Sequence, residues 1–146
     1  MEKTNLRSAF TLIEVLVVVA LVAILASITF IAINPAKNFS DARNAQRSSD
    51  VSEILSAITQ YTSESGHAIS DFANVSTCAT TTAIGTTAGF VNLSTLLVDS
   101  YIVGIPTDPS VGTALNTGYT ICKTATGRIT VAAPSAENGK SISVKR

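Results

Sequence analysis

A chain of 146 residues holds one compact domain and an anchor, and is too short to surround a long apolar helix with soluble protein. The formal net charge is zero, with 14% charged against 46% hydrophobic residues, which excludes electrostatic capture of nucleic acid by the molecule as a whole. A single His, no Trp and two distant Cys leave little material for metal or nucleophile chemistry, so no cofactor, metal site or catalytic residue is expected and the chain reads as a non-enzyme.

The first predicted element is Phe10–Ile33, FTLIEVLVVVALVAILASITFIAI, 24 residues in which Glu14 is the only ionisable side chain. As a helix it spans about 36 Å, enough to cross a hydrocarbon core of about 30 Å with some tilt. It is apolar on every side, so lipid or the seam of a buried bundle is its solvent. The flank before it, MEKTNLRSA, carries Lys3 and Arg7 against Glu2, and the positive-inside rule keeps that end cytoplasmic. A small residue, Ala9, precedes the apolar run, whereas a secretory signal has its small-residue cleavage site behind it. Glu14, one turn in, either meets a partner cation or snorkels to the interface, helped by the positive end of the helix dipole.

Lys3, Arg7, Ser8-Ala9 and then Phe10-Thr11-Leu12-Ile13-Glu14-Val15-Leu16 resemble the processing and methylation signature of type IV prepilins and pseudopilins. The resemblance implies cleavage between Ala9 and Phe10 by a prepilin peptidase, N-methylation of Phe10, and use of Glu14, with Phe10 and Thr11 beside it, in methylation and assembly. The family prefers Gly before the cleavage point; this chain has Ala9, the smallest alternative. Also implied are storage in the inner membrane as a single-pass precursor, and an inner-membrane platform and ATPase that build a homo-oligomeric helical filament. That filament would be an extracellular pilus or a periplasm-spanning pseudopilus. Elementary physics runs parallel to the resemblance. Cleavage leaves a charged amine on Phe10, about 6 Å of helix from Glu14. A subunit displaced by that step sets its amine beside a neighbour's carboxylate where water screens little, neutralising two buried charges and fixing register.

Asn34-Pro35 ends the apolar run, and Pro35 is expected to kink the helix because it lacks a donor and crowds the preceding turn. Beyond it Phe39, Ala42 and Ala45 lead to Val51, Ile54, Leu55, Ile58 and Tyr61 at spacings of a helical face. The expectation is one long bent helix from about Thr11 to Ser65, capped by Gly66. Its domains are a leader over 1–9, a transmembrane and fibre-core helix over 10–35, and a globular head over 36–146 that includes the amphipathic half. Lys37, Asp41, Arg43, Arg47, Asp50, Glu53 and Glu64 fall on other faces and read as solvated, with Arg43-Arg47-Asp50 alternatively bridging subunits.

Residues 67–91 are Thr-, Ala- and Gly-rich without a sustained period and read as an irregular surface loop. Asn92 reads as the cap of a short helix carrying Leu93, Leu96 and Leu97, and Tyr101–Ile105 as a short extended run stopped at Pro106 and Pro109. Strand patterns follow at Tyr119–Thr124, Arg128–Ala132 and Ser141–Lys145, the first two joined by a hairpin-length loop with Gly127. A small antiparallel sheet laid across the Val51–Tyr61 stripe buries both apolar faces, giving an α+β head similar to those of pilins and major pseudopilins. Cys78 and Cys122 either form a disulfide, suited to a thin extracytoplasmic domain, or remain as buried thiols.

His67, following Gly66, reads as a capping or solvent residue. Asp99 and Asp108 flank the proline turn but offer two carboxylates where calcium wants six to eight oxygens. Residues 62–120 carry a net charge of −4 and residues 121–146 a net charge of +4. That asymmetry suits complementary contacts between subunits, a basic C-terminal edge touching nucleic acid, or charges merely interleaved on one surface. The leading functional reading is a structural filament subunit. The alternative is a minor tip pilin, or a DNA-uptake or adhesive subunit, using the basic edge.

Overall fold

The computed structural model describes residues 10–146, and its contacts divide the chain into two compact units between Asn38 and Phe39. The first unit is built on α1, Leu12–Ile33. Its polar side chains are satisfied within the helix, Ser27 and Thr29 returning their hydroxyls to the carbonyls of Ala23 and Leu25 at 2.8 Å. No residue of α1 is buried, and the helical stretch is long and apolar enough to cross a membrane.

The helical path bends at Asn34, which sits in the left-handed region at φ 44° and ψ 74°. Asparagine tolerates that conformation, and its Oδ1 accepts the Lys37 N–H at 3.3 Å. Helix α2, Pro35–Ser63, begins on the proline, where a missing N–H is no loss. The stretch expected from Thr11 to Ser65 therefore runs from Leu12 to Ser63 with an interruption at Asn34. Gly66 follows its end at φ 93°.

The second unit is α+β. Four strands, β1 (Thr82–Gly85), β2 (Asn116–Lys123), β3 (Ile129–Ala133) and β4 (Ile142–Lys145), form an antiparallel meander in chain order. Alternation points Tyr119 and Ile121 of β2, and Ile129, Val131 and Ala133 of β3, into the core. Their partners are Val51, Ile54, Leu55, Ile58 and Tyr61 from α2, with Phe72, Ile84, Val91, Leu93 and Leu97 closing the sides. The short helix α3, Ser94–Leu97, starts where the Asn92 side chain accepts the Ser94 N–H at 3.0 Å. Gly118 is constrained twice, by φ 82° and because a Cβ there would stand 2.7 Å from that of Asp108.

Several expectations are corrected. Phe39, Ala42 and Ala45 are exposed, and the buried stripe of α2 instead continues through Asp50, Arg47 and Asn44. Apolar spacing missed it because the residues are polar. Residues 67–91 are not irregular throughout: they contain β1 and the buried Phe72, Ile84 and Val91. Tyr101–Ile105 is not a strand; Ile102 makes an isolated bridge to Val98. β2 begins at Asn116, three residues ahead of its predicted start.

Candidate assembly site

At the head of α1, Thr11 is the N-cap and Glu14 the third helical residue. The Thr11 hydroxyl accepts the Glu14 N–H at 3.2 Å, and the Glu14 carboxylate reaches back to the Thr11 N–H at 3.5 Å. This capping box satisfies helix donors that have no intrahelical partner, and gives a carboxylate in an apolar helix a hydrogen bond and the favourable end of the dipole. Phe10, Leu12, Val15, Leu16, Val18 and Val19 surround the pair and are exposed. The structure thus brings Phe10, Thr11 and Glu14 together at one helix end. Ala9, Lys3 and Arg7 lie outside the described residues.

In the head, Cys78 and Cys122 are joined by a disulfide. It sits beside a short parallel bridge in which Cys78 N–H donates to Lys123 and Lys123 N–H to Ser76. The reading of two free thiols is thereby closed. His67 stacks on Tyr61, ring centres 4.3 Å apart, with Glu64 and Asp71 each 3.9 Å from a ring nitrogen.

Of the charges read as a solvated face, Lys37, Glu53 and Glu64 are exposed, whereas Arg47 and Asp50 are buried and Arg43 half-buried in and beside a network. Arg47 and Asp108 have no exposed side-chain surface and meet in a two-bonded fork at 2.7 and 3.1 Å. Arg47 also donates to Asn44, Ser110 and Glu137. Glu137 in turn receives the Arg43 fork at 2.8 Å, and Asn44 exchanges two bonds with the Glu137 backbone. Burial by itself would raise the Asp108 carboxyl, but the Arg47 guanidinium and the Ser110 and Val111 donors outweigh it and hold it well below the usual carboxylate range. Glu137 is lowered as well, chiefly by Arg43. Beside the network, Asp50 accepts from Tyr119 at 2.5 Å and from Gln46 at 2.6 Å. Burial first, and that bond second, push the Tyr119 hydroxyl far up.

Asp108 thus serves an ion pair rather than a cation loop, and no metal-ligand cluster occurs among the described residues. Sequence reasoning missed this network. The signal that could have found it was the run 44, 47, 51, 54, 58 and 61, alternating steps of three and four regardless of polarity. The network ties the loops around Asp108 and Glu137 to α2; it is structural in its chemistry.

Residues 4–30 match the family model described as the prokaryotic N-terminal methylation motif. No curated protein and no solved structure matches the chain. The match covers the capping box, the Glu14 carboxylate and most of the exposed apolar helix. The chain carries the type IV prepilin signal, that of a prepilin peptidase substrate assembled into a filament, on an α+β, pilin-like fold.

Proposed function

We propose that the chain is the structural subunit of a type IV pilus or pseudopilus-like filament, held in the membrane by Phe10–Ile33 and assembled through that same helix. The observation that carries the reading is the 22-residue α1, which buries none of its residues in the chain's own fold. At about 25 cal/mol per Å² its apolar surface is too costly to leave in water, so the helix passes from lipid to copies of itself. Repetition of one heterologous contact gives an open fibre. On this reading 1–9 is the leader removed between Ala9 and Phe10, Phe10 is N-methylated, 10–35 forms the fibre core, Pro35 marks the kink, and 36–146 is the head. A prepilin peptidase, an inner-membrane platform and an assembly ATPase are its partners. The precursor is a single-pass inner-membrane protein.

Mass spectrometry of material sheared from the cell surface tests this. The expected result is an abundant chain beginning at methyl-Phe10. A chain found only in the membrane and still carrying its first nine residues overturns it. A second reading, a minor subunit with a binding role toward nucleic acid, is favoured by Lys123, Arg128, Lys145 and Arg146. None of them has an ion pair among the described residues, and the strand register gathers them at one end of the sheet. Abundance separates the two, since a minor subunit caps the filament rather than lining it.

A further inference from the structure

The four-stranded sheet has one covered edge and one open edge. β1 is covered by Val91, which exchanges backbone bonds with Gly85 and Ala83 at 3.0 and 2.9 Å. β4 has β3 on one side and no strand on the other among the described residues. Ile129 and Arg146 exchange both their backbone bonds, and the register continues through Val131 with Val144 and Ala133 with Ile142. In an antiparallel ladder the residues between those pairs face the other way. Ser143 and Lys145 therefore turn their N–H and C=O groups outward, at the spacing of an absent strand.

The core is unfinished along the same edge. Ile129, Val131 and Ala133 of β3 are buried, whereas Ile142 and Val144 of β4, pointing to the same side, are only half-buried. Between β4 and α2 lie two hollows. One, of about 390 Å³, is walled by Asp41, Asn44, Ala45 and Ser48 against Lys140–Ile142. The other, of about 530 Å³, is walled by Ser56, Thr59, Ser63 and Glu64, and by Tyr101, against Arg146. Ala45, Ser48, Ser56, Thr59 and Ser63 leave room between the larger side chains for a backbone and modest side chains beside the open edge.

We infer that β4 and α2 form a docking groove for an extended acidic segment of another protein, taken up as a fifth strand. Hydrogen-bond supply requires a strand and not a helix, because the free groups lie in one row at strand spacing. The half-buried Ile142 and Val144 require an apolar residue at alternate positions of the guest. Charge decides the rest. Lys140, Lys145 and Arg146 stand on this edge, whose own residues 138–146 contain no acid, against one carboxylate in each hollow, Asp41 and Glu64. Lys140 is held by Asp41, whereas Lys145 and Arg146 have no ion pair among the described residues. A second copy of the same edge is repelled: antiparallel pairing about Ser143 sets Arg146 against Lys140, and parallel pairing sets like residues together. An acidic strand meets neither penalty. The groove belongs to the head alone and does not depend on how the N-terminal helix is used.

The test uses the full chain in detergent micelles, with hydrogen exchange read amide by amide. The probes are blocked peptides of about seven residues, a typical strand length, alternating valine with glutamate or valine with lysine. The glutamate peptide at millimolar concentration is expected to slow exchange at Ser143 and Lys145 by about tenfold, leaving Val144, already bonded to β3, unchanged. The lysine peptide is expected to have no effect. Ser143→Pro removes an outward donor without touching the β3 ladder and should abolish protection; Lys145→Glu should shift preference towards the lysine peptide whether or not the proline variant folds. No protection by the glutamate peptide, equal protection by both, or an unchanged preference in Lys145→Glu overturns the proposal.

Discussion

Arg47 is buried completely, and its guanidinium joins three segments that are far apart in sequence: α2, the turn at Asp108 and the loop at Glu137. An ion pair of this kind contributes little over a well-packed apolar pair, yet removing one partner strands the other. Arg47→Met is therefore expected to destabilise the head by about 3–5 kcal/mol, because Asp108 stays buried without its cation. Urea unfolding measures it, and a loss under about 1 kcal/mol means water reaches Asp108 and the pair is not dry. The same carboxylates set an acid limit. Asp108 and Glu137 lie below their ordinary values of 3.8 and 4.5, so the unfolded chain takes up protons first. The stabilisation is complete above those values and is lost as pH falls through the lowered folded ones. The urea midpoint should hold level from neutral pH to about 5 and then decline, less steeply in Arg47→Met. None of this was legible from composition. Asn44, Arg47 and Asp50 occupy positions of the buried stripe, but a search for apolar spacing passes over them and takes Phe39, Ala42 and Ala45 instead.

Among the elements, the second half of α2 and strands β2 to β4 were legible because their apolar residues repeat at the period of the element that holds them. Val51, Ile54, Ile58 and Tyr61 follow a helix, and Ile129 and Val131 alternate. β1 was not, since Thr82-Ala83-Ile84-Gly85 is short and carries one large apolar side chain. Its place is fixed by tertiary pairing with β2 and by Val91. The disulfide helps hold this weakly coded region. Its residues are separated by 44 positions, and on the chain-entropy model closing such a loop stabilises by about 4 kcal/mol. Reduction should lower unfolding stability by roughly that amount. The two backbone bonds between 76–78 and Lys123 should keep the native pairing in the reduced protein. Urea unfolding with and without reductant reads the first; amide exchange at Cys78 and Lys123 reads the second. A much smaller loss means the reduced unfolded chain already holds the loop closed.

For the whole molecule the decisive residue is Glu14, because the proposed function gives it a second job beside its helix cap. In the monomer its carboxylate completes the capping box with Thr11. In a filament it would offer a charge to the amine of a neighbouring Phe10. Two substitutions part these roles. Glu14→Leu removes both and also removes a carboxylate that costs roughly 2.5–3.5 kcal/mol at the bilayer centre, so insertion is not impaired. Glu14→Gln keeps the capping box, since glutamine serves at that position, and removes only the charge. If the stagger between subunits is electrostatic, both variants reach the membrane in normal amounts and neither enters sheared filaments. Wild-type filament yield from Glu14→Gln with none from Glu14→Leu would assign the residue to the cap. Wild-type yield from both would mean that apolar packing alone sets the register. Membrane-fraction and sheared-fraction blots of the two variants distinguish these cases, because the head, with its own core and its own charge network, folds in each of them alike.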